Sequence, residues 1–522
     1  MRNYLLLLLF FATIGNAMAQ DSLMLKYANE VKAQDLKKHL EIIASDEYEG
    51  RETGQKGQKM AAEYIANHFK ALGLQGPVKS NEKNPFYQTF NLEKSMLDSF
   101  NVTTKAGESL KIFKDFFPYG KFEIQQELDV VFVGYGIETD SSYSDYKDLD
   151  VAGKAVVILE GEPEDKHGKS LLTEEQKGMA SNGAKIKLAN EKGATLVILV
   201  YKTAEKFKKK NKYFEHASKE GTLGFPSKEV SKKSGLICTF PHKASMILGI
   251  KSSDLTKAIH KGKKKGKSIA GEFESKITIN SAVKTTLIPT ENVLGYLEGT
   301  DKKEELLVLT AHYDHIGIID GKVYNGADDD GSGTVAVLEM AESFVLAAKN
   351  GNRPRRSILF MAVTGEEKGL LGSEYYSENP IFPLENTVTN LNTDMIGRED
   401  KKHKGNPNYV YLIGSDMLSQ DLHNLSETIG KKHFPKLELD YKFNKASDPN
   451  RYYYRSDHYN FAKHNIPVIF YFNGVHEDYH KHTDTVDKID FDKIQNITRL
   501  TFATAWVIAN REQRLELDKV EE

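Results

Sequence analysis

The chain is predicted to be an α/β protein, with a mixed, mostly parallel sheet flanked by helices and an inserted β-rich domain. Three observations predict this. From about residue 292 onward, short apolar runs alternate with helical patterns, the texture of a sheet covered on both faces. The run Leu306–Thr310 carries no charge, as expected of a strand buried on both sides. Between residues 111 and 284 the texture is different: short β-branched runs bounded by glycine.

At the start of the chain, Arg2 precedes an apolar run from Leu5 to Ile14, and Ala17-Met18-Ala19 has a small-x-small cleavage pattern. This reads as a signal peptide, 1–19, with export to the periplasm or the medium after cleavage near Ala19. Such a run is too short for a bilayer core of about 30 Å. No later segment reaches about 18 uncharged apolar residues, so no stable membrane insertion is expected.

Residues 20–110 are assigned to the N-terminal part of the main domain. Residues 34–73 read as helical, with Met60, Tyr64, Ile65, Phe69 and Leu72 at helical spacing and Gly73 as the stop. The polar, glycine-punctuated stretch 45–54 reads as loop. Within the expected insertion, 111–284, Val130–Val133, Ala155–Leu159 and Leu196–Tyr201 read as strands and Ala184–Glu191 as a helix. Two lysine runs, 206–212 and 261–267, read as solvated loops. They lack the interleaved aromatics of a nucleic-acid platform. Residues 285–522 then carry strands at Leu306–Thr310, Ser357–Val363, Asn390–Ile396, Tyr409–Ile413 and Pro467–Phe472, with an apolar helix at Val335–Ala348 and a further segment at Gly369–Tyr376.

Composition narrows the chemistry. A chain of 522 residues is long for one core. A net charge of −3 supplies no basic field for nucleic acid or an anionic membrane. The single cysteine, Cys238, excludes an internal disulfide, a Cys-rich zinc module and an Fe–S cluster, and reads as a small buried hydrophobe. Oxygen and nitrogen ligands remain.

Those ligands recur where open α/β sheets place their sites, after the carboxyl ends of strands. His312 and Asp314 follow Leu306–Thr310. Glu366 and Glu367 follow Val363, Asp394 ends the run from Asn390, and His480 lies beyond Phe472. Asp328, Asp329 and Asp330 sit in a glycine-rich turn just before a helix. Two imidazoles and several carboxylates without a thiolate point to zinc or a similar divalent ion. The charge of two such ions would be balanced by three carboxylates and a bridging hydroxide. His312 and Asp314, two apart on extended backbone, share a face, so Asp314 can accept the second ring N–H of His312. The adjacent glutamates diverge, so one can hold metal while the other addresses water.

These motifs resemble the M28 family of dinuclear zinc peptidases: His312-Tyr313-Asp314, Gly326-Ala327-Asp328-Asp329, Glu366-Glu367, the run Asn392–Gly397, and Tyr479-His480 followed by Asp484-Thr485, in the family's order. The resemblance implies the fold of zinc exopeptidases and two Zn2+ ions per chain. One would be held by His312, Asp329 and Asp394, the other by Asp329, Glu367 and His480, with Asp329 bridging. It further implies Glu366 as general base toward a metal-bridging hydroxide, Tyr479 as a stabiliser of the oxyanion and Asp314 as the residue orienting His312. Gly50-Arg51-Glu52-Thr53-Gly54 resembles the family's N-terminal segment, and the middle region resembles a protease-associated (PA) domain. Asp328 stands where Asn is commoner, and His482 adds a nearby imidazole.

The reading is an exported zinc aminopeptidase acting on peptide substrates; the oligomeric state is not legible. On the same scaffold a carboxypeptidase or dipeptidase is the alternative, with Arg398, Arg451 and Arg455 as candidate grips for a carboxylate. A one-metal cyclase-like acyltransferase is disfavoured by the presence of both His312 and Asp394. A non-catalytic receptor-like binding module is disfavoured by the complete ligand and base set. His476-Glu477-Asp478-Tyr479-His480 matches H-E-x-x-H, which needs a helix, but it follows a turn signal, Asn473-Gly474. Tyr452-Tyr453-Tyr454 reads as packing or pocket wall. Ser456-Asp457-His458, without a G-x-S-x-G elbow, reads as structural or supporting.

Overall fold

The computed structural model describes residues 20–139, 143–226 and 235–519. The expected signal peptide, 1–19, lies outside the described residues. The chain forms two compact units: one runs to Asn91 and resumes at Ile288, and the other is Leu92–Leu287.

After a helical stretch over residues 20–28, the first unit continues with helices α1 (Ala33–Ile43) and α2 (Lys56–Leu72). Between them Asp46–Arg51 forms a tight turn in which Glu49, Gly50 and Arg51 all have positive φ. At Gly50 (φ +64°) a Cβ would lie 2.4 Å from the Tyr324 carbonyl oxygen, so only glycine lets the two backbones approach this closely.

Strand β1 (Glu274–Leu297) enters the unit at its carboxyl end and is followed by β2 (Lys302–His312), α3 (Gly333–Lys349), β3 (Arg356–Val363), α4 (Leu371–Glu378), β4 (Thr387–Thr393) and β5 (Tyr409–Ile413). Helix α5 (Gln420–His433), β6 (Glu438–Asp440), α6 (His458–Ala462), β7 (Val468–Phe472) and α7 (Phe491–Asn510) complete it. The sheet order is β6-β5-β7-β4-β2-β3-β1. Strands β7, β4, β2 and β3 run parallel; β5 and β1 are antiparallel to their neighbours β7 and β3.

Strand alternation explains the uninterrupted apolar run in β2. Leu307, Leu309 and Ala311 join a core shared with Leu36, Phe69, Phe344 and Trp506, whereas Leu306 and Val308 join a second core with Tyr376 and Phe461. Both faces are covered, as expected of a doubly sandwiched parallel sheet. Residues Ala327–Lys349, including α3, are long and apolar enough to cross a membrane, but 83% of that window is buried inside the unit. This is a core helix.

In the second unit, strand Ile124–Phe132 pairs antiparallel with the first half of β1. The unit's inner strands Ile124–Phe132, Ala155–Leu159, Leu196–Val200 and Gly235–Thr239 are mutually parallel, and Phe117–Pro118 adds to the last of them antiparallel. The lysine runs lie mainly on helices, Ala204–Glu220 and Ser252–Lys265, rather than in loops. Lysine is a good helix former, and Phe207 on the first helix and Leu255 and Ala258 on the second bury one face while the lysines point outward. Cys238 is buried, and burial pushes its thiol up to about 12.

Candidate metal centre

The parallel strands of the first unit deliver their following residues to one edge of the sheet. His312 closes β2 and Asp314 comes just after it. Glu366 and Glu367 occupy the turn after β3, Asp394 follows β4, and His480 lies in a turn beyond β7. Asp328, Asp329 and Asp330 sit in the irregular turn Ala327–Ser332 that leads into α3. His480 itself has φ +55°, an uncommon conformation for a side chain of this size.

The carboxylate of Asp329 stands between two imidazoles. His312 Nε2 is 3.3 Å from Asp329 Oδ1, and His480 Nε2 is 3.1 Å from Asp329 Oδ2. On the first side His312 Nε2 also lies 3.6 Å from Asp394 Oδ1 and 3.8 Å from Glu366 Oε2. On the second, His480 Nε2 is 3.2 Å from Glu367 Oε2. Tyr479 stacks on His480 with ring centroids 3.8 Å apart. His312 Nδ1 is 3.1 Å from the Asp314 main-chain carbonyl and 3.8 Å from its carboxylate. The structure thus brings His312, Asp314, Asp329, Glu366, Glu367, Asp394, Tyr479 and His480 to one place.

A buried layer beneath holds these groups. Arg51, fully buried, donates to the carbonyls of Ile43, Tyr313, Asn325 and Gly326, tying the N-terminal loop to the strand end and to the aspartate turn. Thr53 Oγ1 donates to Asp314 Oδ2 at 2.7 Å. Ser456 Oγ donates to Asp394 Oδ2 at 2.6 Å and accepts from Asn392 Nδ2. Asp330 accepts from the backbone amides of His312, Gly333 and Met395, and Asp484 from those of Asp328 and Asp329.

The donors fit a zinc-type ion. His312 Nε2, His315 Nδ1, Asp329 Oδ2, Glu367 Oε1 and Asp394 Oδ1 are buried polar atoms without a hydrogen-bond partner. Such atoms are costly unless something else satisfies them. Two trios of donors converge within 4.8 Å: His312, Asp329 and Asp394, and His315, Asp329 and Glu367. Ligands bonded at about 2.0–2.1 Å in tetrahedral geometry stand about 3.3–3.4 Å apart, close to the distances above.

Residues 292–505 match Peptidase family M28. They form an M28 peptidase domain. Among solved structures, an aminopeptidase from Aneurinibacillus sp. strain AM-1 is similar over 95% of this chain and 98% of its own, with a TM-score of 0.55 and 17% identity. At that identity the likeness speaks for the fold. A probable glutamate carboxypeptidase of Arabidopsis thaliana is 26% identical over 373 residues, covering 65% of this chain and 48% of its own. This chain therefore spans about half the length of that relative. A probable zinc metalloprotease of Pyrenophora tritici-repentis is 37% identical over 118 residues, 21% of this chain and 22% of its own.

Electrostatics in the M28 domain are set by crowding of acids around buried imidazoles. Burial opposes charge on His312, but Glu366 and Asp394 outweigh it and hold the imidazole well above its usual range. His480 is pushed up to about 10 in the same way, by Asp329 and Glu367 against burial. Burial and Asp329 raise the Glu367 carboxyl, yet the imidazoles of His315 and His480 facing it hold it at about 2. Glu366 goes the other way. Burial, reinforced by Glu367 and Asp394, keeps it well above the carboxylate range despite His312. Adjacent glutamates thus have opposed proton affinities, the separation expected of a ligand beside an acid–base group.

Sequence reasoning missed His315, whose Nδ1 is 2.8 Å from Glu367 Oε1. The signal was a second imidazole in the His312–His315 run. The H-E-x-x-H segment is not helical: residues 477–480 form a turn, and His476 Nε2 faces Asp328 Oδ2 at 3.2 Å rather than the Asp329 cluster. His482 lies 3.2 Å from Lys322 Nζ and is not part of the cluster. The cleft beside the site is lined by Met395, Tyr452, Phe470, Phe472, Val475 and Arg455 together with Asp329, Glu366, Asp394, Tyr479 and His480. Of the three arginines named as carboxylate grips only Arg455 lines it. Arg398 is paired with Asp478 at 3.0 Å, and Arg451 lies over Tyr454.

Proposed function

We propose that the M28 domain is a zinc-dependent exopeptidase that removes residues from the free N-terminus of peptides. The observation that carries this reading is Asp329, which offers one oxygen to each of two imidazole–carboxylate groups in a cleft that also has an apolar wall. His312, Asp329 and Asp394 would hold one zinc ion, and Asp329, Glu367 and His480 the other. Bound there, two ions supply a Lewis acid for the scissile carbonyl and lower the pKa of water toward about 7.

The chain's own residues do the rest. Glu366, of high proton affinity and beside His312, takes a proton from the attacking water and passes it to the leaving amine. Tyr479, stacked on His480 in the cleft wall, donates its hydroxyl to the developing oxyanion. Asp314, anchored by Thr53, fixes the strand end that carries His312. Phe470, Phe472 and Met395 offer an apolar wall to a substrate side chain. Export through residues 1–19, to the periplasm or beyond, and a protease-associated character for Leu92–Leu287 belong to the same proposal.

A second reading, a carboxypeptidase, is favoured by Arg455, a guanidinium in the cleft lining that donates to the Tyr479 hydroxyl. Short peptides with free, acetylated or amidated ends separate the two, read by mass spectrometry with and without a chelator. Chelator-sensitive trimming that requires a free N-terminus is the expected result. Trimming that ignores acetylation but requires a free carboxylate moves the function to a carboxypeptidase. No cleavage in any peptide, with zinc bound, overturns the peptidase reading.

A further inference from the structure

Away from the M28 centre, three helices of the same unit converge on another group of imidazoles and carboxylates. Helix α1 contributes His39, α2 contributes His68, and α3 contributes Glu339 and Glu342, three apart and so on one face. His68 Nε2 is 3.2 Å from Glu342 Oε1, and His39 Nε2 is 3.5 Å from the same oxygen. The donor atoms of His39, His68 and Glu342 all lie within 4.8 Å of one another, and the two rings are nearly perpendicular. These separations are those of a tetrahedral zinc site, and they match the ligand spacing at Asp329.

Two further observations separate this group from an ordinary ion pair. Glu339, with a side chain only 2% exposed, lies 3.8 Å from His39 Nε2, and its Oε1 has no hydrogen-bond partner. His68 Nε2 is likewise buried without one. A bound cation would satisfy both atoms. His39 Nδ1 is 2.6 Å from the Tyr64 hydroxyl, the outer hydrogen bond that fixes a ligating imidazole and leaves Nε2 free to coordinate. The nearby Lys38 is engaged by Asp35 at 2.7 Å. Glu342, 39% exposed, gives an ion a route in from solvent. By contrast, a third group, His403 with Glu438 and Asp440, already has a cation: Lys402 binds Asp440.

We propose that His39, His68 and Glu342, with the buried Glu339 carboxylate beside His39, bind a further divalent transition-metal ion of zinc type, distinct from the M28 centre. The ion joins the two helices that flank the Arg51–Thr53 loop to the helix that follows the Asp328–Asp330 turn. It acts as a structural clip and takes no part in hydrolysis.

The test uses the full chain, stripped with chelator, dialysed and reloaded with Zn2+ or Co2+, with bound metal counted by mass spectrometry. Glu342→Ala and the double variant His39→Ala/His68→Ala are expected to bind one ion fewer than the wild type while keeping peptide turnover. They also lose the part of the zinc-dependent rise in melting temperature that this site supplies. Equal metal content in the wild type and in natively folded variants overturns the proposal. Should those variants fail to fold, anomalous diffraction at the zinc edge from wild-type crystals decides. A peak between His39, His68 and Glu342 upholds the site, and its absence with zinc present at the Asp329 group overturns it.

Discussion

The groups around Asp329 and around Glu342 use the same side chains at the same spacing, but they stand on different frames. At the sheet edge, the candidate ligands follow parallel strands, and a buried layer fixes three of them, His312, Asp329 and Asp394, from behind. Ser456 holds Asp394, Asp484 holds the backbone of Asp329, Asp330 holds that of His312, and Arg51 clamps the loops together. At the helix junction, ligands come from helix faces, and Tyr64 on His39 is the outer support seen among the described residues. The difference separates two uses of one chemistry. A reacting centre must be held to within a fraction of an ångström, whereas a clip needs only donors within reach.

The largest expected effect exploits that contrast directly. Glu366→Gln should lower turnover by about 10²–10⁴-fold with metal content unchanged, whereas Glu342→Gln should lower metal content with turnover unchanged. Loss of zinc in Glu366→Gln would instead make Glu366 a ligand and break the assignment of the glutamate pair. A smaller effect sharpens the comparison. Ser456→Ala removes the hydrogen bond that orients Asp394, and metal affinity at the Asp329 group should fall by about 10–100-fold in a competitive chelator titration. Tyr64→Phe should cost the helix group less. Equal losses at both would mean that the buried layer contributes no special preorganisation.

Much of the sheet edge was legible because strand ends are local features. An apolar run such as Leu306–Thr310 marks a doubly buried strand, and the ionic residues just beyond it therefore lie at the carboxyl end. Parallel pairing of β2 with β3 and β4 then gathers them. What escaped was set by contacts between distant segments. His315 meets Glu367 only because β2 and β3 are neighbours. Ser456-Asp457-His458 reads as structural or supporting, but the sequence does not say which group Ser456 supports, Asp394, and nothing in the spacing of His39, His68 and Glu342 shows that three helices bring them together. The lysine runs were misleading for another reason: a charge run says nothing about backbone state when Phe207 or Leu255 can bury the opposite face. Strand Tyr87–Thr104 was likewise hidden: burial alternates at its two ends, but not over residues 93–99 in its middle.

The smallest effect concerns an imidazole that belongs to neither group. His458 is fully buried at the start of α6, stacked on Phe470 at 4.7 Å and edge-on to Tyr453. Burial holds it at about 3, so the folded protein keeps it neutral where the unfolded chain, near 6.5, takes up a proton. Its folded value is depressed, so the unfolded state binds more protons between those limits, and stability falls as pH drops through that window. The loss is at most about 1.4 kcal/mol per pH unit and less near pH 6. His458→Leu should flatten this part of the stability curve in denaturant titrations between pH 6.5 and 5, even if it lowers the absolute value by disturbing the packing. A wild type and variant with parallel curves would mean that His458 titrates normally. The contrast between imidazoles that face carboxylates and one sealed among aromatic rings would then fail at its simplest point.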